Sequence, residues 1–131
     1  VGATLVPRPP GFPPDFEEFQ QLITSRRISI LDLATAHWAA WCAWMAAENR
    51  EIPEGVRAVI IGGERASAAA LGDWFKTGGR RIRLVNTYGP TEASIVATAE
   101  VIDGAWQEDG DPAIGRPLPD VLELQSEMKM G

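Results

Sequence analysis

The feature that most constrains the fold is a regular alternation of short apolar runs with segments of helical character. The apolar runs cover residues 28–33, 56–61 and 82–85, and each predicts a buried strand. Between them, and before the first of them, hydrophobic spacing predicts helices over 16–26, over 35–48 and over 68–76. Strands and helices that alternate at this spacing indicate βαβ units. We therefore predict an α/β fold with a mainly parallel sheet and helices on both faces.

Three polar residues mark the predicted helix starts. Asp15 is a suitable N-cap for the first helix, whose first turn also carries acidic residues at its positive end. Thr35 is the predicted cap of the second helix and Ser67 that of the third. Gly78 and Gly79 then end the third helix.

The second helix carries an aromatic stripe. Trp38, Trp41 and Met45 follow one another at i, i+3 and i+7 and lie on one side of the helix. This spacing predicts packing against the sheet, and a tryptophan-lined cofactor groove is the alternative. Cys42, the single cysteine, is expected to be a buried thiol, and His37, the single histidine, has no second ligand at metal spacing.

The remaining segments are predicted from composition. Residues 1–6 are expected to form a strand, and the proline-rich residues 7–14 a loop. A strand is predicted over 93–102, with a helical first turn as the alternative. The segment 103–119, rich in glycine, proline and acidic residues, is expected to be a loop.

Charge and length exclude several classes of protein. A chain of 131 residues with a net charge of −6 fits one small domain and disfavours a nucleic-acid partner. Residues 28–47 are mostly apolar, but Asp32 and His37 lie within them, so we predict a strand and a helix and no membrane partner. One cysteine allows no internal disulfide, and we expect a cytoplasmic protein.

The chemistry concentrates in the stretch Asn86-Thr87-Tyr88-Gly89-Pro90-Thr91-Glu92, which follows the last apolar run. Tyr88 offers a flat ring on which a base can stack, Thr91 a hydroxyl, and Glu92 a hard oxygen ligand for Mg²⁺. Free backbone N–H groups in such a turn can bind phosphate oxygens. These groups predict a nucleotide site, and the alternative is a surface turn around a buried tyrosine.

This stretch resembles the fifth core motif of the adenylation domains of nonribosomal peptide synthetases, which are acyl-adenylate-forming enzymes. Further similar segments are residues 2–6, the glycine turn Ile61-Gly62-Gly63-Glu64, and Ile114-Gly115-Arg116-Pro117. The resemblance covers residues 1–121 and implies part of a flavodoxin-like subdomain that carries the nucleotide loop and the wall of the substrate pocket. Residues 122–131 do not follow the family.

The resemblance also implies an activity. In this family the carboxylate of an amino acid attacks the α-phosphate of ATP, which gives an aminoacyl adenylate and pyrophosphate, and a carrier-protein domain later accepts the acyl group. The implied cofactors are ATP and Mg²⁺. The implied catalytic residues are Thr91, at the phosphates, and Glu92, on the metal. The implied nucleotide-binding residues are Gly63, Glu64, Arg65, Asn86, Tyr88, Gly89 and Thr91.

The resemblance further places six residues in the amino acid pocket: Asp32, Ile60, Gly62, Thr87, Ile95 and Val96. A carboxylate that faces an otherwise apolar cleft is costly unless it is paired, so Asp32 predicts a cationic, lysine- or ornithine-like substrate. The alternative is that Asp32 only forms hydrogen bonds with the backbone or with water.

The chain also departs from the family. It shows no glycine-rich Thr-Ser-Gly phosphate loop, no Arg-Thr-Gly-Asp ribose segment and no C-terminal subdomain with its catalytic lysine. We therefore expect an internal fragment that needs the remaining parts of the domain and has negligible activity alone. Other possibilities are a non-catalytic nucleotide-binding module, an interaction domain, or a fragment of an acyl-CoA or aryl-acid ligase, although Pro90 favours the peptide synthetases.

Overall fold

The computed structural model describes residues 2–11, 15–89, 98–104 and 115–117. The helices are α1 (Phe16–Ser25), α2 (Thr35–Ala47) and α3 (Ala68–Lys76), with a short 3₁₀ helix at Gly79–Arg81. The strands are β1 (Ile30–Ala34), β2 (Ala58–Gly62), β3 (Arg83–Tyr88), β4 (Thr98–Ile102) and β5 (Arg116–Pro117). No helix among these residues is long and apolar enough to span a bilayer.

The strands form one sheet in the order β1-β2-β3-β4-β5. The first three are parallel, β4 is antiparallel to β3, and β5 is antiparallel to β4. This arrangement confirms the predicted α/β class and the mainly parallel sheet. β1, β2 and β3 lie side by side across the sheet in the order of the sequence. Crossovers of the same hand therefore place α2 and α3 on the same face of the sheet.

The core lies between that face and the helices. The buried sheet residues alternate along the strands and include Leu31, Val59, Ile61 and Leu84. They join the buried residues of all three helices in one cluster. The second face is open among the described residues, where Ile30 is 53% exposed and Val101 54% exposed. The helices that were expected on this face are not found in the described part of the chain.

The aromatic stripe of α2 packs against this core, as predicted. Trp38, Trp41 and Met45 are fully buried. Trp41 meets Phe19 of α1 edge to face at 5.1 Å, and the rings of Trp38 and Trp74 of α3 lie 5.9 Å apart. Cys42 is buried too, and the loss of solvent around it raises the pKa of the thiol far above its usual value.

Two of the three predicted caps are confirmed. Asp15 accepts a hydrogen bond from the N–H of Glu18 at 2.9 Å, and Ser67 accepts one from the N–H of Ala70 at 3.2 Å. The prediction for α2 was wrong, because its N-cap is Ala34, which makes no side-chain hydrogen bond there. Thr35 is the first helical residue, and its hydroxyl is used elsewhere.

Three other expectations also need correction. Residues 2–9 form no regular structure and are exposed, although a strand was predicted over 1–6. β3 extends through Asn86 and Thr87 to Tyr88, which the sequence had suggested were loop residues, because β4 supplies a partner for them. The expected loop at 103–119 contains β5. Gly115, which directly precedes β5, lies so close to β4 that a Cβ would meet the Ala99 carbonyl carbon at 2.3 Å.

We predict that Gly79→Ala destabilises the protein. A Cβ at Gly79 would lie 2.3 Å from Nε1 of the buried Trp74, and overpacking of this kind costs about 1–3 kcal/mol. Urea unfolding followed by tryptophan fluorescence would measure the effect. Gly55→Ala is the matched control, because nothing lies within 4 Å of a Cβ there. Equal unfolding midpoints for the two variants would contradict the prediction.

Candidate functional site

The candidate site lies where β1, β2 and β3 end. The parallel register pairs Ala34 with Gly62, and Ile61 with Asn86, so the three carboxyl ends lie at one edge of the sheet. The turn Gly63-Glu64-Arg65 follows β2 and Gly89 follows β3. Adjacent strands are roughly 4.8 Å apart, so the two segments are neighbours. Open α/β sheets bind ligands beyond such strand ends.

The alternation of side chains along β3 divides its residues between the two faces. Asn86 shares the helix-covered face with Leu84 and is 5% exposed. Thr87 lies on the open face. Tyr88, the last residue of the strand, is 40% exposed, so the alternative of a buried tyrosine is not found. β3 therefore carries the predicted base-binding residues Asn86 and Tyr88 on one face and the predicted pocket residue Thr87 on the other.

The two consecutive glycines at the end of β2 are required for different reasons. Gly63 has φ +96°, a conformation that favours glycine, and nothing lies within 4 Å of a Cβ placed there. Gly62 has no positive φ, but a Cβ there would meet Oγ1 of Thr87 at 2.4 Å. The Thr87 hydroxyl donates a hydrogen bond to the Ile61 carbonyl at 2.7 Å, which holds the side chain over Gly62.

The open space over Gly63 and the exposed ring of Tyr88 fit a flat base, the group that the sequence predicts at this edge. Glu64 and Arg65 are exposed beside them. The buried Asn86 is less accessible than the other candidates. The nucleotide roles of these residues stay predictions.

Thr35 connects the turn after β2 to the start of α2, a contact that the sequence did not reveal. Its hydroxyl donates a hydrogen bond to the Glu64 carbonyl at 3.1 Å, and the residue is only 3% exposed. Because Thr35 directly follows β1, the hydrogen bond joins the strand that carries Asp32 to the glycine turn. No local sequence signal indicates this contact, because Thr35 and Glu64 are 29 residues apart.

The predicted pocket residues that the structure describes share the open face. Asp32 pairs with Ile60, Ile60 with Val85, and Val85 with Val101, which makes one row across four strands. Asp32 is the only charged member of this row. Gly62 and Thr87 lie in the next row toward the strand ends. Val85 was not among the predicted pocket residues, although its position two residues before Thr87 places it on the same face.

Asp32 is exposed and makes no hydrogen bond or ion pair within the described parts of the chain. It borders a groove of about 820 Å³ that runs along β1 and is also lined by residues 3–8 and by His37. His37 packs edge to face on Phe19 at 5.1 Å, and its burial, followed by the charge of Arg8, lowers its pKa. The imidazole is therefore neutral at pH 7 and does not neutralise Asp32.

Thr91, Glu92, Ile95 and Val96 lie outside the described residues, and so does Pro90. Their predicted roles at the phosphates, the metal and the pocket remain predictions. Within the described ranges, no group of three or more His, Cys, Asp or Glu residues could hold a metal ion.

Comparison with known proteins identifies the family. The model of the family described as AMP-binding enzyme matches residues 1–125. The chain belongs to this family. It is an adenylation-domain fragment, as the resemblance of the glycine turn and the Tyr-Gly-Pro-Thr-Glu stretch implied.

Its relatives are peptide synthetases of much greater length. Over 119 residues it is 41% identical to an isonitrile lipopeptide synthase of Streptomyces coeruleorubidus, with 91% of this chain and 8% of that protein covered. An isonitrile lipopeptide synthase of Mycobacterium tuberculosis is 34% identical over 106 residues, which is 78% of this chain and 4% of the relative. A delta-poly-L-ornithine synthetase of Acinetobacter baumannii is 29% identical over 99% of this chain and 9% of its own length.

Solved structures show the same fold. PA1221, a nonribosomal peptide synthetase protein containing adenylation and PCP domains, superposes with TM-score 0.69 at 24% identity over 82% of this chain and 21% of its own. The Klebsiella oxytoca NpsA N-terminal subdomain, in complex with 3-hydroxybenzoyl-AMSN, superposes with TM-score 0.65 at 20% identity, and the match covers 86% of this chain and 27% of that one. Bacillus subtilis MenE, solved with ATP and magnesium ion, superposes with TM-score 0.59 at 17% identity, and the match covers 80% of this chain and 20% of that one.

We predict that Thr35→Val loosens the glycine turn of this adenylation fragment. The change removes one hydrogen bond and leaves the Glu64 carbonyl without it, at a cost of about 0.5–1.5 kcal/mol. Hydrogen exchange at the amides of residues 64–66 should become faster. Thr35→Ser keeps the hydroxyl and should behave as the native chain. Thr24→Val, which removes the hydroxyl that donates to Gln20 within α1, should leave the turn unchanged.

We also predict that Gly62→Ala and Thr87→Ala are coupled. Gly62→Ala alone should cost about 1–3 kcal/mol of stability, because the new methyl meets Oγ1 of Thr87. Thr87→Ala removes that atom, so the double variant should be more stable than the sum of the single changes predicts. Urea unfolding of the four proteins gives the coupling free energy. Strict additivity would mean that the two side chains do not compete for this space.

Proposed function

We propose that this chain is the substrate-selecting and ATP-binding part of an enzyme that activates an amino acid as its aminoacyl adenylate. We further propose that the amino acid is lysine- or ornithine-like. The enzyme would join the substrate carboxylate to the α-phosphate of ATP and release pyrophosphate. Family membership supports adenylate formation, and the open face of the sheet supports the choice of substrate.

The observation that carries the substrate proposal is the carboxylate of Asp32 on the open face. It is the one charge in a row otherwise made of Ile60, Val85 and Val101, and it has no partner among the described residues. Once the row is covered and water is excluded, a lone carboxylate there would be costly. An ammonium group on the substrate side chain would pair with it, and the apolar neighbours would contact the methylene groups.

The nucleotide is proposed for the strand ends above the same row. Tyr88 would stack on adenine, Asn86 and the Gly63-Glu64-Arg65 turn would contact the base, and Gly89 would lie beside it. Thr91 would contact phosphate and Glu92 would bind Mg²⁺, which shields the charge of the triphosphate. The ATP and magnesium ion in the structure of MenE support this choice of cofactors.

The proposal also implies partners. The solved neighbours are three to five times longer than the aligned part of this chain, which supports a requirement for further parts of an adenylation domain to cover the open face. A carrier-protein domain would receive the activated acyl group, and the presence of adenylation and PCP domains together in PA1221 supports this role. The name of the delta-poly-L-ornithine synthetase supports an ornithine-like substrate, whereas the names of the two more similar relatives specify no amino acid.

The test is to graft residues 2–121 in place of the matching segment of a well-behaved adenylation domain and to measure amino-acid-dependent pyrophosphate exchange. We expect exchange with lysine or ornithine. Asp32→Asn in the graft should reduce the preference for lysine over glutamine by about tenfold or more, because the ammonium group loses the negative charge of Asp32. Glu54→Gln, which removes an exposed carboxylate far from the strand ends, is the matched control.

Each outcome of the graft has a definite meaning. Exchange with a neutral amino acid alone would keep the adenylation function and reject the cationic substrate. Lysine preference that survives Asp32→Asn would reject the pairing. A folded graft that exchanges nothing would count against the adenylation function, and Mg²⁺-dependent ATP binding without turnover would then favour the non-catalytic module.

A further inference from the structure

A second cleft, of about 570 Å³, lies at the opposite edge of the sheet, where β1, β2 and β3 begin. Four arginines line it, and we call it the arginine cleft: Arg57, Arg80, Arg81 and Arg83. Its other lining residues are Ile30, Ala58, Ile82, Val101 and Asp103. The chain has 12 basic residues and a net charge of −6, so one third of its positive side chains converge on this cleft.

Two of the arginines are held in place by the backbone. Arg80 donates from Nη1 to the Gly104 carbonyl at 2.6 Å, and its guanidinium lies over the ring of Phe75 at 4.6 Å. Arg81 donates from Nη2 to the Ile52 carbonyl at 2.9 Å. A guanidinium has five N–H donors, so each of these groups keeps donors for a ligand while its orientation is already fixed.

The other two arginines are open to solvent. The backbone of Arg83 donates to the Arg57 carbonyl at 3.1 Å, which places the two residues side by side. Their side chains make no hydrogen bond or ion pair with the residues that the structure describes. Ile30 and Val101, which also line the cleft, are 53% and 54% exposed. The cleft therefore combines unpaired positive charge with exposed aliphatic surface.

The dimensions of the cleft fit an extended peptide better than a small anion. Its lining runs from β1 to β4, which is about 15 Å at the usual strand spacing of roughly 4.8 Å, or the length of about five extended residues. A single phosphate would leave Ile30 and Val101 exposed. A nucleic acid would be repelled by the net charge of the chain and by Asp103 within the cleft.

We propose that the arginine cleft docks an extended acidic segment of a protein partner. The segment carries at least two carboxylates, which arginine binds in bidentate fashion, and an aliphatic side chain that covers Ile30. The cleft lies where the strands begin, whereas the proposed nucleotide site lies where they end, and the cleft adjoins the proposed amino acid row at Val101. The inference does not rest on the proposed function.

The test is a binding titration of the 131-residue chain with a fluorescent peptide of alternating glutamate and leucine, followed by anisotropy. We expect saturable binding that weakens as salt is added. The double variant Arg57→Glu and Arg83→Glu should bind at least tenfold more weakly. Arg8→Glu with Arg26→Glu makes the same change of net charge at two exposed arginines outside the cleft, and it should bind as the native chain. Tryptophan fluorescence checks that both variants are folded.

Any one of five results would overturn the proposal. The first four are no binding at millimolar peptide, equal weakening by both double variants, equal binding of a peptide with serine in place of leucine, and complete competition by inorganic tripolyphosphate at the concentration at which the peptide itself binds. This competition would identify a small-anion site. Tighter binding of single-stranded RNA than of the peptide would likewise reject a protein segment as the occupant.

Discussion

The parallel register of β1, β2 and β3 is the constraint on which the rest of the structure depends. Because successive side chains of a strand point to opposite faces, this register aligns one set of residues into the core and the other into an open surface. Leu31, Val59 and Leu84 meet the helices, whereas Asp32, Ile60 and Val85 form a row on the far side. A shift of one residue in β1 would turn Asp32 toward the helices, and the same shift in β2 or β3 would turn the core residues of that strand to the open face.

The candidate site depends on a few local contacts at the carboxyl ends of these strands. Thr87 occupies the space that a side chain at Gly62 would need, and Gly63 adopts a backbone conformation that other residues rarely tolerate. Thr35 links the same turn to the first residue of α2. The turn is thus fixed from β3 on one side and from α2 on the other, so a nucleotide would meet a preformed surface, which lowers the entropic cost of binding.

The two edges of the sheet differ in charge and in proposed role. The edge where the strands end has the glycine turn, the exposed Tyr88 and the row that contains Asp32, whereas the edge where they begin has the arginine cleft. Chain direction causes this separation, because parallel strands bring all of their preceding loops to one edge and all of their following loops to the other. A partner bound at the arginine cleft would therefore leave the proposed nucleotide surface free.

The sequence by itself determined the class of fold, the helix starts at Asp15 and Ser67, the aromatic stripe of α2 and the family, because these depend on local periodicity, capping and short motifs. Only the tertiary structure decided that β3 continues through Tyr88, since that extension requires a partner strand distant in sequence. It also decided the role of Thr35, the crowding at Gly62 and the convergence of four arginines. Each of these involves residues that are far apart in the chain, and their proximity follows from strand register and crossover direction, which no local pattern encodes.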